Sequence, residues 1–426
     1  MVTKAFILAA GEGTRLRPLT AERPKPMLPV GGRPALEHIL RWLRGHGVRD
    51  VAINLHHHGE AITAHFGDGA PWDVRITYSP EAALLGSAGA LRARADFCDA
   101  SLAVVYGDVL TDLHLGALAA LHASHRQPGV PHLTVALHHV ERPTEKGIVA
   151  LDDGGRIVRF VEKPAPDQVF SDLANAGVLV VEPDLIATIP AGRPYDIGRD
   201  WLPELLGAGV PVYGWTIPDG AYLIDFGTPE TYARVAQEWP RRVAVFLDRD
   251  GVINENHANY VRSWEQVRFL AGSLDALRAL AGTPLRAVIV SNQSAIGRGV
   301  MTAAQVEDIN ARLVAAIRAA GGRVDGVYVC PHRPDEECNC RKPRPGMLLQ
   351  AAADLGLSLR RSYFVGDHRT DLYAAWAAGA QAILVRTGLG QRFAAELGGE
   401  ERARCVVVDD LWAATRWILD REGITA

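Results

Sequence analysis

The chain has 426 residues, enough for two or three domains at roughly 150 residues each, every one able to bury a core of its own. A formal net charge of -4 excludes binding to nucleic acid or an anionic membrane through bulk charge, so an anionic partner has to be gripped locally. No apolar run reaches the roughly 20 residues of a bilayer span, and the N-terminus lacks a cleavable signal pattern, so a cytoplasmic protein is expected.

In chain order, the first apolar stretch, KAFILAA, reads as a strand that runs into GEGTRLRP. Gly11, Gly13 and Thr14 form a loop there, whose backbone N–H groups can converge on phosphate oxygens. Arg15 and Lys25 bring fixed cations to the same loop, and a plain turn has no use for cations beside the stiff RPKP backbone. ALEHILRWLRGHG reads as a helix stopped by glycine. The triple histidine His56 to His58 suits a strand-to-helix loop better than a metal site. VAIN, LAVVYGD, AVIVSNQ and SYFVGD are near-continuous apolar runs, as in parallel strands covered by helices on both faces. Both halves are therefore expected to be α/β and doubly wound, meeting near VAQEWPRRVAVF, with domains at 1–238 and 243–426.

The second half opens on FLDRDGVIN. Asp248 and Asp250 lie one residue apart at a strand end, and like charges that close require a cation or a proton. Further on, Cys330, His332, Cys338 and Cys340 form C-x-H-x5-C-x-C, a complete tetrahedral ligand set for a structural Zn²⁺ with no open position. Cys98 and Cys405 stand apart, which argues against a disulfide framework.

G-x-G-T-R-L-x-P followed by P-K-P resembles the sugar-1-phosphate nucleotidyltransferases, and LLGSAGAL, VVYGDVL, FVEKP, NAGVLV and LIDFGTPETY are similar to that family's later motifs. The resemblance implies a Rossmann-like domain in which Asp108 and Asp225 hold Mg²⁺ between nucleotide and sugar phosphates. It also implies that Arg15 and Lys25 grip the triphosphate, and that Gly11 and the turn Gly86, Ser87, Gly89 line the nucleotide. Glu162, Lys163, Asn175 and Gly177 would hold the sugar phosphate. Lys146 departs from the pattern, standing where relatives often carry an aromatic.

FLDRDGVIN, VIVSNQSAIGRG, CNCRKPRPGM and FVGDHRTD resemble the ordered motifs of haloacid-dehalogenase-type phosphatases, and the cysteine loop is similar to that of their heptose bisphosphate branch. By this resemblance Asp248 is the nucleophile, Asp250 the general acid and base, and Lys342 the charge that offsets the phosphoryl group. Ser291, Asn292 and Arg341 would contact substrate. Asp248, Asp367 and the Asp250 carbonyl would hold Mg²⁺, and Asp371 would either support that ion or cap the following helix. Together the resemblances imply an enzyme that makes nucleotide-activated heptose from a phosphorylated heptose and a nucleoside triphosphate, GTP favoured. Two alternatives stay open: a transferase specific for uridylyl transfer or for mannose 1-phosphate, and a phosphatase for heptose bisphosphate or histidinol phosphate whose N-terminal half only senses nucleotide sugars.

Overall fold

The computed structural model describes residues 2–218 and 221–424. It divides into two compact units, Met1–Val235 and Ala236–Ala426, and the helix Pro229–Arg241 runs across the division.

The first unit is built on a nine-stranded sheet. Lys4–Leu8 lies between Asp50–Leu55 and Leu102–Tyr106, parallel to both, and Arg75–Pro80 continues the parallel row. Beyond Leu102–Tyr106 the direction reverses. Leu173–Val181 pairs antiparallel there and carries Leu133–His139 and Gly147–Leu151 along its far edge. A separate short ribbon pairs Val109–Thr111 with Leu223–Asp225, setting Asp225 opposite Val109.

The second unit is a six-stranded parallel sheet in the order Gly326–Cys330, Arg286–Asn292, Ala244–Leu247, Tyr363–Gly366, Gln381–Val385, Cys405–Val408. Its central strands are largely apolar because both faces are covered. Val245, Leu247 and Val365 enter one core, while Phe246 and Phe364 enter the other, as the two-residue period of a strand dictates. The chain reverses its direction of travel between Ala244–Leu247 and Tyr363–Gly366, and ligands of open α/β sheets bind at the carboxyl ends of strands at such a point.

Helices follow their local chemistry. In Ala303–Ala319, Thr302 and Gln305 exchange backbone and side-chain hydrogen bonds at the N-terminus. Val306, Ile309, Leu313 and Ile317 recur at helical spacing on the buried face. Among the described residues no helix is long and apolar enough to cross a membrane.

Candidate active sites

In the first unit the strand Lys4–Leu8 ends beside Leu102–Tyr106, and the Gly107 amide donates to the Leu8 carbonyl at 2.9 Å. The loop after Leu8 therefore faces Asp108. A buried side-chain relay holds that loop: the Ala9 amide donates to Asn54 Oδ1 (2.6 Å), Asn54 donates to Glu81 Oε1 (2.7 Å), and Glu81 Oε2 accepts from the Leu85 amide (2.9 Å). The relay leads directly to Gly86. That residue sits at φ +75, where a Cβ would come within 2.6 Å of the Tyr195 carbonyl oxygen. The Ala88 and Gly89 amides both donate to the same oxygen at 2.9 Å, and Ser87 Oγ donates to Asp196 at 2.8 Å.

Gly11, Gly13, Thr14, Arg15, Lys25, Gly86, Ser87 and Asp108 line one cleft of about 410 Å³. Gly89 is not part of its lining; its role is the bond to Tyr195. Glu162, Lys163, Asn175, Gly177 and Asp225 line a second cleft of about 920 Å³. The two share Arg15, Tyr106, Asp108 and Gly227. Asp108 and Asp225 come together through the short ribbon, the Phe226 amide donating to the Asp108 carbonyl at 3.1 Å. Each carboxylate is paired with a lysine: Lys25 with Asp108 and Lys146 with Asp225. Burial opposes the charge of Asp108, yet Lys25, and Lys146 behind it, hold its carboxyl below the usual range. Burial pushes Glu162 up, against the pull of Lys163. Lys163 is held at φ +49, with its amide donating to the Lys146 carbonyl at 3.0 Å. Asn175 Oδ1 accepts from the Gly177 amide (2.9 Å) where the pairing with Leu133–His139 breaks register.

His56, His57 and His58 lie between Asp50–Leu55 and the helix Gly59–Phe66, and each has a ring nitrogen against a backbone carbonyl.

In the second unit the strand ends Leu247 and Gly366 place Asp248 and Asp367 side by side, with the Asp248 amide donating to the Val365 carbonyl at 3.0 Å. Asp248, Asp367 and Asp371 each bring a carboxylate oxygen within 4.8 Å of the others. Burial raises the pKa of Asp367, and the Asp248 and Asp371 charges raise it further. Burial likewise raises Asp248, against the pull of Lys342. Two carboxylates whose charged forms are disfavoured, with a third beside them, fit a hard divalent cation, which would hold them charged. Lys342, 2 % exposed, sits on the other side, with Nζ 2.9 Å from Asp248, 2.7 Å from Asp371 and 3.1 Å from the Val290 carbonyl. Asp371 also caps its helix: its Oδ2 accepts from the His368 amide at 3.0 Å. Of the two roles considered for it, the cap is the one these contacts display.

The glycine behind the two aspartates is explained by space. Gly251 lies at φ +87, and a Cβ there would fall 2.0 Å from Asp367 Oδ2. Asp250 is surrounded by donors: Arg249 Nη2 at 2.8 Å, Asn254 Nδ2 at 2.8 Å and Gln293 Nε2 at 3.0 Å. Burial opposes its charge, but Arg249, Asn254 and Gln293 win and hold its carboxyl low. Ser291 Oγ accepts from Gln293 at 2.9 Å. The Asn292 amide is directed at the backbone of Lys342, accepting from its N–H at 3.1 Å and donating to its carbonyl at 3.2 Å. Asn292 thus positions the lysine where a direct phosphoryl contact was anticipated.

Cys330, His332, Cys338 and Cys340 converge. Sulfur–sulfur separations are 3.4 to 3.6 Å, and His332 Nδ1 lies 3.2 Å from Cys340 and 3.6 Å from Cys330. Two ligands of one tetrahedral zinc would lie roughly 3.4–3.8 Å apart, given bonds of about 2.1–2.3 Å, so the set fits Zn²⁺. Arg341 donates to the His332 carbonyl at 3.3 Å, which ties it to this loop. Sequence reasoning missed Asn54, Glu81, Asp196, Arg249, Asn254, Gln293 and His138, the last of which lines the larger cleft.

Comparison with known proteins adds lineage. A family model described as nucleotidyl transferase matches residues 4–241, and one described as HAD-hydrolase-like matches residues 339–414. The chain is 39% identical over 223 residues to a UTP–glucose-1-phosphate uridylyltransferase of Synechocystis, a match covering 49% of this chain and 57% of that protein. It is 36% identical over 245 residues to a mannose-1-phosphate guanylyltransferase of Mycobacterium tuberculosis, covering 56% and 65%. It is also 42% identical over 175 residues to a D-glycero-beta-D-manno-heptose-1,7-bisphosphate 7-phosphatase of Pseudomonas putida, covering 41% of this chain and 98% of that protein. The chain thus spans less than two thirds of the two transferases and nearly all of the phosphatase.

Proposed function

From the premise that the chain belongs to the nucleotidyl transferase family through residues 4–241, and in its C-terminal unit to the family of the heptose-bisphosphate 7-phosphatases, we propose a bifunctional enzyme of nucleotide-heptose synthesis. It removes the C7 phosphate of D-glycero-D-manno-heptose 1,7-bisphosphate. It then joins the remaining heptose 1-phosphate to a nucleoside monophosphate, with GTP as donor.

In the phosphatase, an Asp248 oxygen attacks phosphorus while the C7–oxygen–phosphorus linkage breaks at phosphorus, and Asp250 gives its proton to the departing alkoxide. Asp250 then takes a proton from water, whose oxygen attacks the aspartyl phosphate; inorganic phosphate leaves and Asp248 is restored. The donors around Asp250 favour its charged form, which suits the second half; the first half requires it to take up a proton as the phosphoryl group enters. Lys342 balances the phosphoryl charge. Asp248, Asp367 and the Asp250 carbonyl, with Asp371 close by, would hold Mg²⁺, which when bound neutralises the attacking carboxylate and the phosphoryl oxygens.

In the transferase, an oxygen of heptose 1-phosphate attacks the α-phosphorus, the α–β bridge breaks, and pyrophosphate departs along Arg15 and Lys25. Asp108 and Asp225 would hold Mg²⁺, which supplies charge neutralisation between the two polyanions. The observation that carries this reading is that the two clefts meet at Arg15 and Asp108, one lined by the glycine loop and the other by Glu162, Lys163 and Asn175. The relative from M. tuberculosis supports guanylyl transfer, and the one from Synechocystis favours the uridylyl alternative.

The test supplies the full chain with heptose 1,7-bisphosphate and GTP, UTP or ATP in turn, with product masses recorded. Phosphate release in every tube and nucleotide-heptose only with GTP is the expected result; product only with UTP overturns the choice of base. The pairing of Lys146 with Asp225 favours the second reading, a sensor, because it neutralises a carboxylate the metal needs. Pyrophosphate release that is lost in Asp108→Asn while phosphate release persists supports the transferase. No pyrophosphate release from the unaltered protein supports the sensor.

A further inference from the structure

Three side chains from different elements meet at one end of the first unit's sheet. His122 lies in the last turn of the helix Leu115–Ser124, His132 just before the strand Leu133–His139, and Glu182 just after the strand Leu173–Val181. None of them lines either cleft. His122 is 5 % exposed and His132 1 %, and their rings stack with centroids 4.1 Å apart.

One nitrogen of each ring is already engaged. His122 Nδ1 lies 2.9 Å from Thr134 Oγ1, and His132 Nε2 lies 2.8 Å from the His122 carbonyl. A carbonyl only accepts, so Nε2 of His132 carries a proton and Nδ1 of the neutral ring presents a lone pair. That Nδ1, and Nε2 of His122, are buried with no hydrogen-bond partner. His132 Nδ1 lies 3.5 Å from Glu182 Oε2, an ion-pair distance only if the ring is doubly protonated, and too poorly aligned for a hydrogen bond. One ring nitrogen of each histidine and a Glu182 carboxylate oxygen lie within 4.8 Å of one another, and each ring keeps one nitrogen to be satisfied.

We propose that His122, His132 and Glu182 form a binding site for a divalent transition-metal ion, zinc by preference, separate from both clefts and from the cysteine loop. Two imidazoles and a carboxylate are a borderline-soft donor set. The 3.5 Å from His132 to Glu182 matches the roughly 3.4 Å that two ligands of a tetrahedral ion have at bonds of about 2.1 Å. The bonds to Thr134 and to the His122 carbonyl are the outer contacts that orient ligating imidazoles. The ion enters on the Glu182 side, the most exposed of the three at 13 %, and it would staple one helix to two strands.

The test uses the full chain, stripped with a chelator, returned to excess Mg²⁺ to occupy carboxylate sites, and titrated with Co²⁺. Bound cobalt is counted after gel filtration, and its absorption spectrum separates thiolate ligation from nitrogen and oxygen ligation. The unaltered protein should hold one equivalent more than His132→Gln or Glu182→Gln, and a variant with Cys330, Cys338 and Cys340 all changed to Ser should keep that equivalent without a thiolate band. Glu182→Gln preserves an acceptor for the His132 amide, so it decides the matter if His132→Gln does not fold. Equal cobalt in the unaltered protein and Glu182→Gln, or a spectrum accounted for wholly by thiolate ligation, overturns the site.

Discussion

At the scale of single residues, the phosphatase centre turns on Lys342, a buried cation between two carboxylates. Burial alone would lower its pKa, and the Asp248 and Asp371 charges more than reverse that. Lys342→Met leaves the carboxylates uncompensated, which for a buried charge pair costs about 3–5 kcal/mol. Thermal melting of the second unit should fall accordingly, and phosphate release should drop on the order of 10²–10³-fold, as for loss of one oxyanion donor. Retained turnover in Lys342→Met would remove it from the mechanism. Gly251→Ala carries a sharper expectation: with a Cβ 2.0 Å from Asp367, phosphate release should collapse while pyrophosphate release from supplied heptose 1-phosphate is unchanged. Equal loss of both would mean a general folding defect. Asp248 and Asp250 were legible as a like-charged pair at a strand end, and Lys342 through the resemblance of its motif to those of known phosphatases. The pairings of Asn54 with Glu81 and of Ser87 with Asp196 gave no signal, since partners separated by 27 and 109 residues share no spacing rule.

At the scale of elements, the strand Arg286–Asn292 and the cysteine loop act on each other. Asn292 clasps the Lys342 backbone, the Gln293 amide donates to the Cys330 carbonyl at 2.8 Å, and Cys340 lies two residues before Lys342. Loss of zinc should therefore displace the lysine. Chelation followed by return of Mg²⁺ alone is expected to lower phosphatase kcat by about tenfold or more, in the range seen when outer contacts of a metal site are lost. Turnover that survives confirmed zinc removal would reduce the loop to a mere brace. The parallel strands were readable from continuous apolar runs. The direction of Leu173–Val181 was not, because a strand buried on both faces carries the same pattern whether its neighbour runs with it or against it.

At the scale of the whole molecule, stability should depend on acidity through His138. Burial, and next the Lys146 charge, hold its imidazole down to about 4, against about 6.5 in an unfolded chain. The unfolded state therefore binds the proton first as pH falls. The stability that His138 contributes is complete above pH 6.5 and is lost between there and about pH 4. Urea midpoints of the metal-free protein should decline through that window, and less steeply in His138→Gln; parallel curves would discard the assignment.

The passage of Pro229–Arg241 from one unit to the other bears on any attempt to divide the gene. Trp239, 2 % exposed, belongs to the second unit, where Arg361 lies over its ring at 3.7 Å and donates to its carbonyl. A truncated fragment begun at Val243, the obvious cut before the first strand, discards that indole and strips cover from Arg361. A fragment begun at Pro229 retains both, and it should express as the better-behaved phosphatase even though it borrows a turn or two from its neighbour.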